Sequence, residues 1–204
     1  LDEDWFGNKN IFNVENKDNT WTYNTSKIIF DKNKSWEDYI KIRCLEITCG
    51  EAPFLASRYD TSTGILILPP FNRIGLLDRK LRIINENIDI EKNWIKWATR
   101  AYQNTYGFEY QGDNLLIARI NLLLTFIDYY KDKFNKEPDL KLLQKITNII
   151  AWNIWQMDGL KDTVPLGKPF VEHEQIGLDL FGDAEKEKVP AIPCVIKDWR
   201  AKKT

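Results

Sequence analysis

Acidic residues stand at the ends of three short apolar segments of this chain. Glu46 is followed by Gly50 in the segment LEITCGEAPF, Glu109 ends YGFE, and Asp158 follows NIIAWNI. A carboxylate accepts hydrogen bonds from ribose hydroxyls, and glycine lets the backbone approach a ligand closely. The pattern therefore predicts a pocket, built from strand ends, that holds an adenosine with its ribose.

Each of these residues also has an ordinary structural interpretation. Gly50 is typical of a strand-to-loop transition, Glu109 of an acid near a helix amino terminus, and Asp158 of a turn. The functional interpretation gives Glu109 the ribose hydroxyls, because an acid after a strand has that role in dinucleotide-binding folds. Asp158 could accept a hydrogen bond from an adenine amino group. Three acids at three successive strand ends favour the pocket.

The hydrophobic pattern predicts the elements that would position these acids. Helical three- and four-residue spacing alternates with short buried runs, which is typical of an α/β fold with right-handed crossovers. The predicted strands are 44–49, 106–110, 148–154 and 191–199, with shorter ones at 27–30 and 65–68. The predicted helices are 35–42, 74–85, 90–104, 113–134 and 138–147, and residues 167–190 are predicted to form a loop.

Composition limits the classes of function. The 204 residues, 43% hydrophobic, suit one domain (1–204) with an irregular segment 1–35, and 29 basic against 30 acidic residues show no basic excess. Three scattered cysteines and the lone His173 argue against a disulfide framework and a metal site. Without a long apolar run or a basic leader, the sequence predicts no membrane span and a cytoplasmic location.

Three segments resemble the S-adenosylmethionine-dependent DNA adenine methyltransferases. EITCGEAPF (46–54) is similar to their first motif, and YGFEYQGDNLLIARINL (106–122) looks like the second, a Gly-x-Glu strand before a helix with Ile-Ala-Arg-x-Asn-Leu. NIIAWNIWQMDGL (148–160) is similar to the third motif region. Most of residues 20–200 also resembles methylase subunits of bacterial restriction–modification systems.

The resemblance implies a Rossmann-like methyltransferase sheet with flanking helices and S-adenosyl-L-methionine as cofactor. It implies that Glu109 binds the ribose with Tyr110 beside the adenine, and that Asp158 contacts the adenine amino group. The residues that would shape the methionine end of the cofactor site are Glu46, Thr48, Gly50 and Pro53. The 63 positions between Glu46 and Glu109 require a helical insertion, 58–105, between the first two strands.

The sequence departs from the family in its first motif and at its catalytic motif. Ala52 stands where the family has a second glycine, which is strained if φ must be positive there. No Asn-Pro-Pro-Tyr or Asp-Pro-Pro-Tyr tetrapeptide occurs. Asp198 and Trp199 keep an acid and an aromatic ring in the corresponding region and are the catalytic candidates, although a surface strand with a polar end explains them more simply.

Three functions follow. The first is a DNA methyltransferase-like subunit that methylates adenine N6, alone or with a partner subunit or further region that supplies the catalytic loop and target recognition. The second is a non-catalytic DNA-recognition or interaction subunit that retains the fold. The third is a metal-dependent nuclease that uses Asp4, Glu15 and Lys17, although a solvated amino-terminal loop accounts for those residues as well.

Overall fold

A computed structural model of the chain describes residues 1–18, 21–159, 161, 163–166 and 192–200. These residues form a mixed α/β structure. The helices are α1 (Asp2–Phe6), α2 (Trp36–Ile40), α3 (Leu76–Asn87), α4 (Glu91–Gln103), α5 (Gly112–Phe134) and α6 (Leu140–Asn153), with a 3-10 turn at Pro70–Asn72. The strands are β1 (Asn13–Glu15), β2 (Trp21–Tyr23), β3 (Cys44–Glu46), β4 (Thr105–Glu109) and β5 (Ile154–Gln156).

Strands β3, β4 and β5 form a three-stranded parallel sheet in the order β3-β4-β5. Between β3 and β4, Cys44 pairs with Thr105, and between β4 and β5, Gly107 pairs with Ile154. All five residues of β4 are buried, as expected for a central parallel strand. Helices α3 and α4 connect β3 to β4, and α5 and α6 connect β4 to β5. Strands β1 and β2 form a separate antiparallel pair.

Side-chain caps set the starts of two helices, α2 and α6. Ser35 caps α2 by accepting a hydrogen bond from the Asp38 N–H at 3.1 Å, and Asp139 caps α6 through the Leu142 N–H at 2.8 Å. Helix α5 ends at Phe134 and is followed by Asn135, which adopts the left-handed conformation common after helices. The predicted helices at 35–42, 74–85, 90–104 and 113–134 are therefore confirmed to within a few residues.

The core lies where α3, α4, α5 and α6 pack on one another and on the sheet. Trp94 is fully buried and contacts three aromatic rings, those of Phe126, Tyr130 and Phe134, at centroid distances of 5.6 Å. Leu77, Leu81 and Ile84 bury the inner face of α3. Aromatic pairs of this kind add packing energy beyond the area they bury.

Four of the six strand predictions are wrong. The segment 148–154 belongs mostly to α6, and strand β5 begins only at Ile154. The reason is that the buried side chains of α6 recur at helical steps, at Ile146, Ile149, Ile150 and Asn153. Within 192–199 only Pro193 forms a bridge, to Thr163, so no strand forms in the described part of 191–199. Segment 27–30 has no strand, and within 65–68 only Leu66 bridges, to Tyr59. The predicted loop 167–190, with His173, lies outside the described residues.

Candidate functional site

The carboxyl ends of the three parallel strands lie at one edge of the sheet. Glu46, Glu109 and Gln156 are the last residues of β3, β4 and β5. Because parallel strands end on the same side, the loops that follow them converge there, as they do at ligand sites of open α/β sheets. Loop 47–53, residues 110–111 and residues 157–159 form this carboxyl edge.

The first loop turns sharply at Gly50 and Ala52. Gly50 has φ of 53° and Ala52 has φ of 69°, both in the left-handed region, and the Ala52 N–H donates to the Cys49 carbonyl at 2.7 Å. A Cβ built on Gly50 would have no atom within 4 Å, so this turn borders open space. Ala52, in contrast, is fully buried and carries the strain of an L-residue at positive φ, about 1–2 kcal/mol.

Glu109 joins the first loop to the second. Its Oε2 accepts a hydrogen bond from the Gly50 N–H at 2.7 Å, and its Oε1 accepts one from the Gln111 N–H at 2.9 Å. The residue is only 8% exposed. Each carboxylate oxygen has a second lone pair, so the group can still accept hydrogen bonds from a ligand hydroxyl. The predicted ribose-binding acid and the predicted glycine are thus in direct contact.

Cys49, which precedes Gly50, is buried. Burial, together with the negative charge of Glu109, raises the pKa of its thiol to about 12. A thiol that stays protonated is a poor nucleophile. Gly107 makes room for it, because a Cβ at that position would lie 3.1 Å from the Cys49 sulfur and from a methyl group of Leu55. The glycine of the Gly-x-Glu strand therefore serves packing beneath the edge.

Two polar residues of α5 hold the neighbouring backbone in place. Asn121 Nδ2 donates to the Glu51 carbonyl at 3.0 Å, and Arg119 donates to the Ile154 carbonyl through Nε and Nη2 at 3.1 and 2.6 Å. Tyr59 donates its hydroxyl to the Glu51 carboxylate. Arg119 and Asn121 belong to the segment 106–122 that resembles the second family motif, but no role was predicted for them. Their polar character on a helix with a buried apolar face was the available signal.

The third loop closes the edge from β5. The Met157 N–H donates to the Glu109 carbonyl at 2.9 Å, and the Asp158 N–H donates to the Thr163 carbonyl at the same distance. The Asp158 carboxylate lies 3.4 Å from Lys161 Nζ. A Cβ on Gly159 would lie 3.4 Å from the Ile47 carbonyl, so the first and third loops meet.

The other predicted cofactor residues lie on the same edge or beside it. Thr48 and Tyr110 are exposed, while Glu46 and Pro53 are partly buried. Ile47 and Phe54 are also exposed, which gives the edge an apolar character that the sequence did not predict. Four cavities of about 340 to 540 Å³ are lined by residues of other regions.

The catalytic candidates lie at the opposite edge of the sheet. Asp198 forms an ion pair with Arg43 at 2.8 Å, just before β3 begins. Trp199 Nε1 donates to Asn153 Oδ1 at 2.7 Å, just before β5 begins. The structure therefore does not bring Asp198 and Trp199 together with Gly50 and Glu109.

Among the described residues, no group of three His, Cys, Asp or Glu side chains could hold a metal ion. Asp4 lies on α1 and Glu15 is exposed on β1. No described helix combines the length and apolar character needed to cross a bilayer.

Comparisons of the chain with protein-family models, with curated proteins and with solved structures gave no match.

Proposed function

We propose that this chain is an S-adenosylmethionine-binding, DNA methyltransferase-like subunit of a restriction–modification system. The observation that carries the proposal is the hydrogen bond between the Glu109 carboxylate and the Gly50 N–H at the carboxyl ends of two adjacent parallel strands. Residues 59 positions apart, in the segments that resemble the first two family motifs, meet at the edge where α/β sheets bind nucleotides.

The chemistry of this edge suits the adenosine part of the cofactor. The Glu109 carboxylate offers free lone pairs to the ribose hydroxyls, and the exposed ring of Tyr110 follows it directly. Open space beside Gly50 allows a ligand to approach the first loop. Asp158, on the third loop, supplies an acceptor for the adenine amino group. Glu46, the last residue of β3, and Thr48 and Pro53, in the first loop, would shape the methionine end of the cofactor site.

When bound, the cofactor would supply an electrophilic methyl group, and the chain's own residues would orient it. Transfer to adenine N6 also needs hydrogen-bond acceptors for the target amino group and an aromatic surface for the extruded base. Asp198 and Trp199 would have to leave their partners at the amino ends of the strands to serve this edge. We therefore propose that a partner subunit, or a region outside the described residues, supplies the catalytic loop and DNA target recognition.

A second candidate function, a non-catalytic DNA-recognition or interaction subunit, is favoured by one further observation. Leu116, Ile117 and Ile120 lie exposed on one face of α5, the helix that follows Glu109. Exposed apolar side chains grouped in this way are typical of surfaces that another chain covers. In this alternative, the retained edge of the sheet organises an interface instead of methyl transfer.

Calorimetric titration of the chain with S-adenosylmethionine tests the proposal. We expect saturable binding that Glu109→Gln and Gly50→Ala each weaken at least tenfold, while the matched surface change Glu137→Gln leaves the affinity unchanged. Urea unfolding of each variant separates lost binding from lost folding. Absence of binding by the wild-type chain, alone and with its co-purified partner, would refute the cofactor proposal.

Methyl transfer is measured separately with radiolabelled cofactor and unmethylated genomic DNA. Cofactor binding together with transfer only in the presence of a partner supports the split arrangement. Cofactor binding without transfer in either condition favours the non-catalytic subunit.

A further inference from the structure

A cavity of about 420 Å³ lies between α4 and α6, away from the carboxyl edge. Its lining comes from the outer face of α4, from Lys145 on α6 and from Lys41 after α2. None of the described residues lining it is acidic. Five of them are basic, in a chain whose net charge is −1: Lys41, Lys92, Lys96, Arg100 and Lys145.

The helix geometry sets these side chains in a row. Lys92, Lys96 and Arg100 follow one another at four-residue steps, each step rising about 6 Å along the helix. Thr99 and Gln103 fall on the same face, so all five side chains lie within an arc of about 100°. The opposite face of α4, with Trp94, Ala98 and Tyr102, is buried in the core. The helix therefore presents its basic stripe to the cavity.

The charges in this cavity are largely unpaired. Lys41 has an ion pair with Asp38 at 2.9 Å. Among the described residues, no carboxylate lies within 4 Å of the side-chain nitrogens of the other four basic residues, in contrast to the pairing of Lys131, Lys133 and Lys136 on the neighbouring surface. Several unpaired cations around one concavity make an electropositive region that attracts multivalent anions.

A second observation points to a ligand. Thr99 lines the cavity and is 94% buried, since its exposed fraction is 6%, and its hydroxyl has no hydrogen-bond partner in the described structure. A buried hydroxyl without a partner costs about 1–3 kcal/mol. The half-buried ring of Trp97, which packs against Trp36, forms an apolar wall beside it.

We propose that this cavity is a binding site for a small molecule that carries two or more phosphate groups. Lysine and arginine are the principal phosphate-binding side chains, and the row on α4 matches an anion with several charged centres. The cavity volume lies within the range of about 300–1,000 Å³ that holds small ligands. Thr99 would donate its hydroxyl to a phosphate oxygen once its side chain rotates toward the cavity, because Oγ1 is buried in this structure. The site is independent of the proposed cofactor edge.

Calorimetric titration of the full chain with inorganic tripolyphosphate tests this site. We expect saturable binding that weakens with added salt. The double variant Lys96→Gln/Arg100→Gln should bind tripolyphosphate at least tenfold more weakly. Both side chains lie on the helix surface, so the fold should be retained, which circular dichroism checks. The matched control Lys27→Gln/Lys32→Gln removes two exposed charges outside the cavity and should leave the affinity unchanged.

Thr99→Val provides a test that a merely structural role would not pass. Removing the unpartnered hydroxyl should stabilise the fold or leave it unchanged, and it should weaken tripolyphosphate binding several-fold. Three results would each overturn the proposal. The first is absence of tripolyphosphate binding, and the second is equal weakening of binding by the control variant. The third is that the cavity binds a 12-base-pair DNA duplex but not tripolyphosphate. S-adenosylmethionine binding by the Lys96→Gln/Arg100→Gln variant should be unaffected, which keeps the two proposals separable.

Discussion

The two ends of the parallel sheet are built differently. At the amino ends of the strands, buried side chains donate hydrogen bonds to the backbone carbonyls. Asn153 Nδ2 donates to the Tyr102 and Thr105 carbonyls at 2.8 and 3.0 Å. Lys80 is fully buried and donates to the Ile42 carbonyl at 2.6 Å. Trp199 then covers this edge. At the carboxyl ends one carboxylate, that of Glu109, links two loops, and exposed side chains border open space.

This contrast separates a structural edge from a candidate functional edge. Where the polar groups are paired with the protein's own backbone, nothing is left for a ligand. Where a buried carboxylate keeps free lone pairs beside a glycine turn, a ligand can complete the hydrogen bonding. We expect changes at the amino edge to alter folding alone, and changes at the carboxyl edge to alter both folding and binding.

The largest effect is expected from Asn153→Ala at the amino edge. The substitution removes three hydrogen bonds of a side chain that is 1% exposed, including the bond from Trp199 Nε1. The free energy of unfolding, measured by urea denaturation, should fall by about 3 kcal/mol.

Trp199→Phe is the comparison variant, because it removes the indole donor and part of the ring but leaves the Asn153 amide bonds in place, and it should cost about 1–2 kcal/mol. If Asn153→Ala costs no more than this comparison variant, then the amino edge is not the closed structure that its hydrogen bonds indicate.

Glu109→Gln should have a smaller effect on stability and a larger one on binding. The amide must present its NH2 group to either the Gly50 or the Gln111 N–H, so one buried donor loses its acceptor. We expect the free energy of unfolding to fall by about 2 kcal/mol.

Amide hydrogen exchange should then be faster at Gly50 or Gln111, and unchanged at the amino edge. Unchanged exchange at both positions would contradict the bridging role of this carboxylate and weaken the contrast between the two edges.

Asp78, a buried residue of α3, links stability to pH. Its Oδ2 accepts a hydrogen bond from the Ser57 N–H at 2.7 Å, and burial raises the pKa of this carboxyl to about 7, although Arg73 and Ser57 act in the opposite direction. The folded state therefore holds the proton more strongly than the unfolded state. The stability from this group is complete below pH 4 and is lost as the pH rises to 7, with a slope of at most about 1.4 kcal/mol per pH unit.

Asp78→Asn, which stays neutral, should flatten this part of the curve. Urea denaturation at pH 4, 5, 6 and 7 measures the difference between the two proteins. Parallel curves for the wild-type protein and the variant would show that Asp78 is ionised throughout this range.

The smallest effect is expected from Asp198→Ala. The ion pair with Arg43 is about half exposed on both sides, so its loss should change the free energy of unfolding by less than about 1 kcal/mol. S-adenosylmethionine affinity should not change, because the pair lies at the amino edge. A tenfold loss of affinity would show that residues 198–199 reach the cofactor edge in solution and would remove the contrast.

The amino-acid sequence by itself determined helices α2 to α5, the start of α6 and the approximate ends of the three parallel strands. Local signals suffice for these features: Ser35 and Asp139 as caps, and the three- and four-residue spacing of apolar side chains along α5. The order of strand, two helices and strand also follows from the chain alone, so the positions of Glu46, Glu109 and Asp158 near strand ends could be predicted.

Tertiary structure decided where the apolar segment before β5 changes from helix to strand. A run such as NIIAWNI satisfies either periodicity over a few residues, and packing of Ile146, Ile149 and Ile150 in the core selects the helix. It also decided that Asp198 and Trp199 lie at the amino edge, because contacts across more than 45 residues, to Arg43 and Asn153, leave no local signature.

The contact between Glu109 and Gly50 is likewise a property of the fold. The sequence supplied the carboxylate and the residue that tolerates positive φ, but their 2.7 Å hydrogen bond exists only because β3 and β4 pair in parallel. The cavity on α4 shows the same division. The four-residue spacing of Lys92, Lys96 and Arg100 is written in the chain, whereas the concavity that they share with Lys145 arises from the packing of α4 against α6.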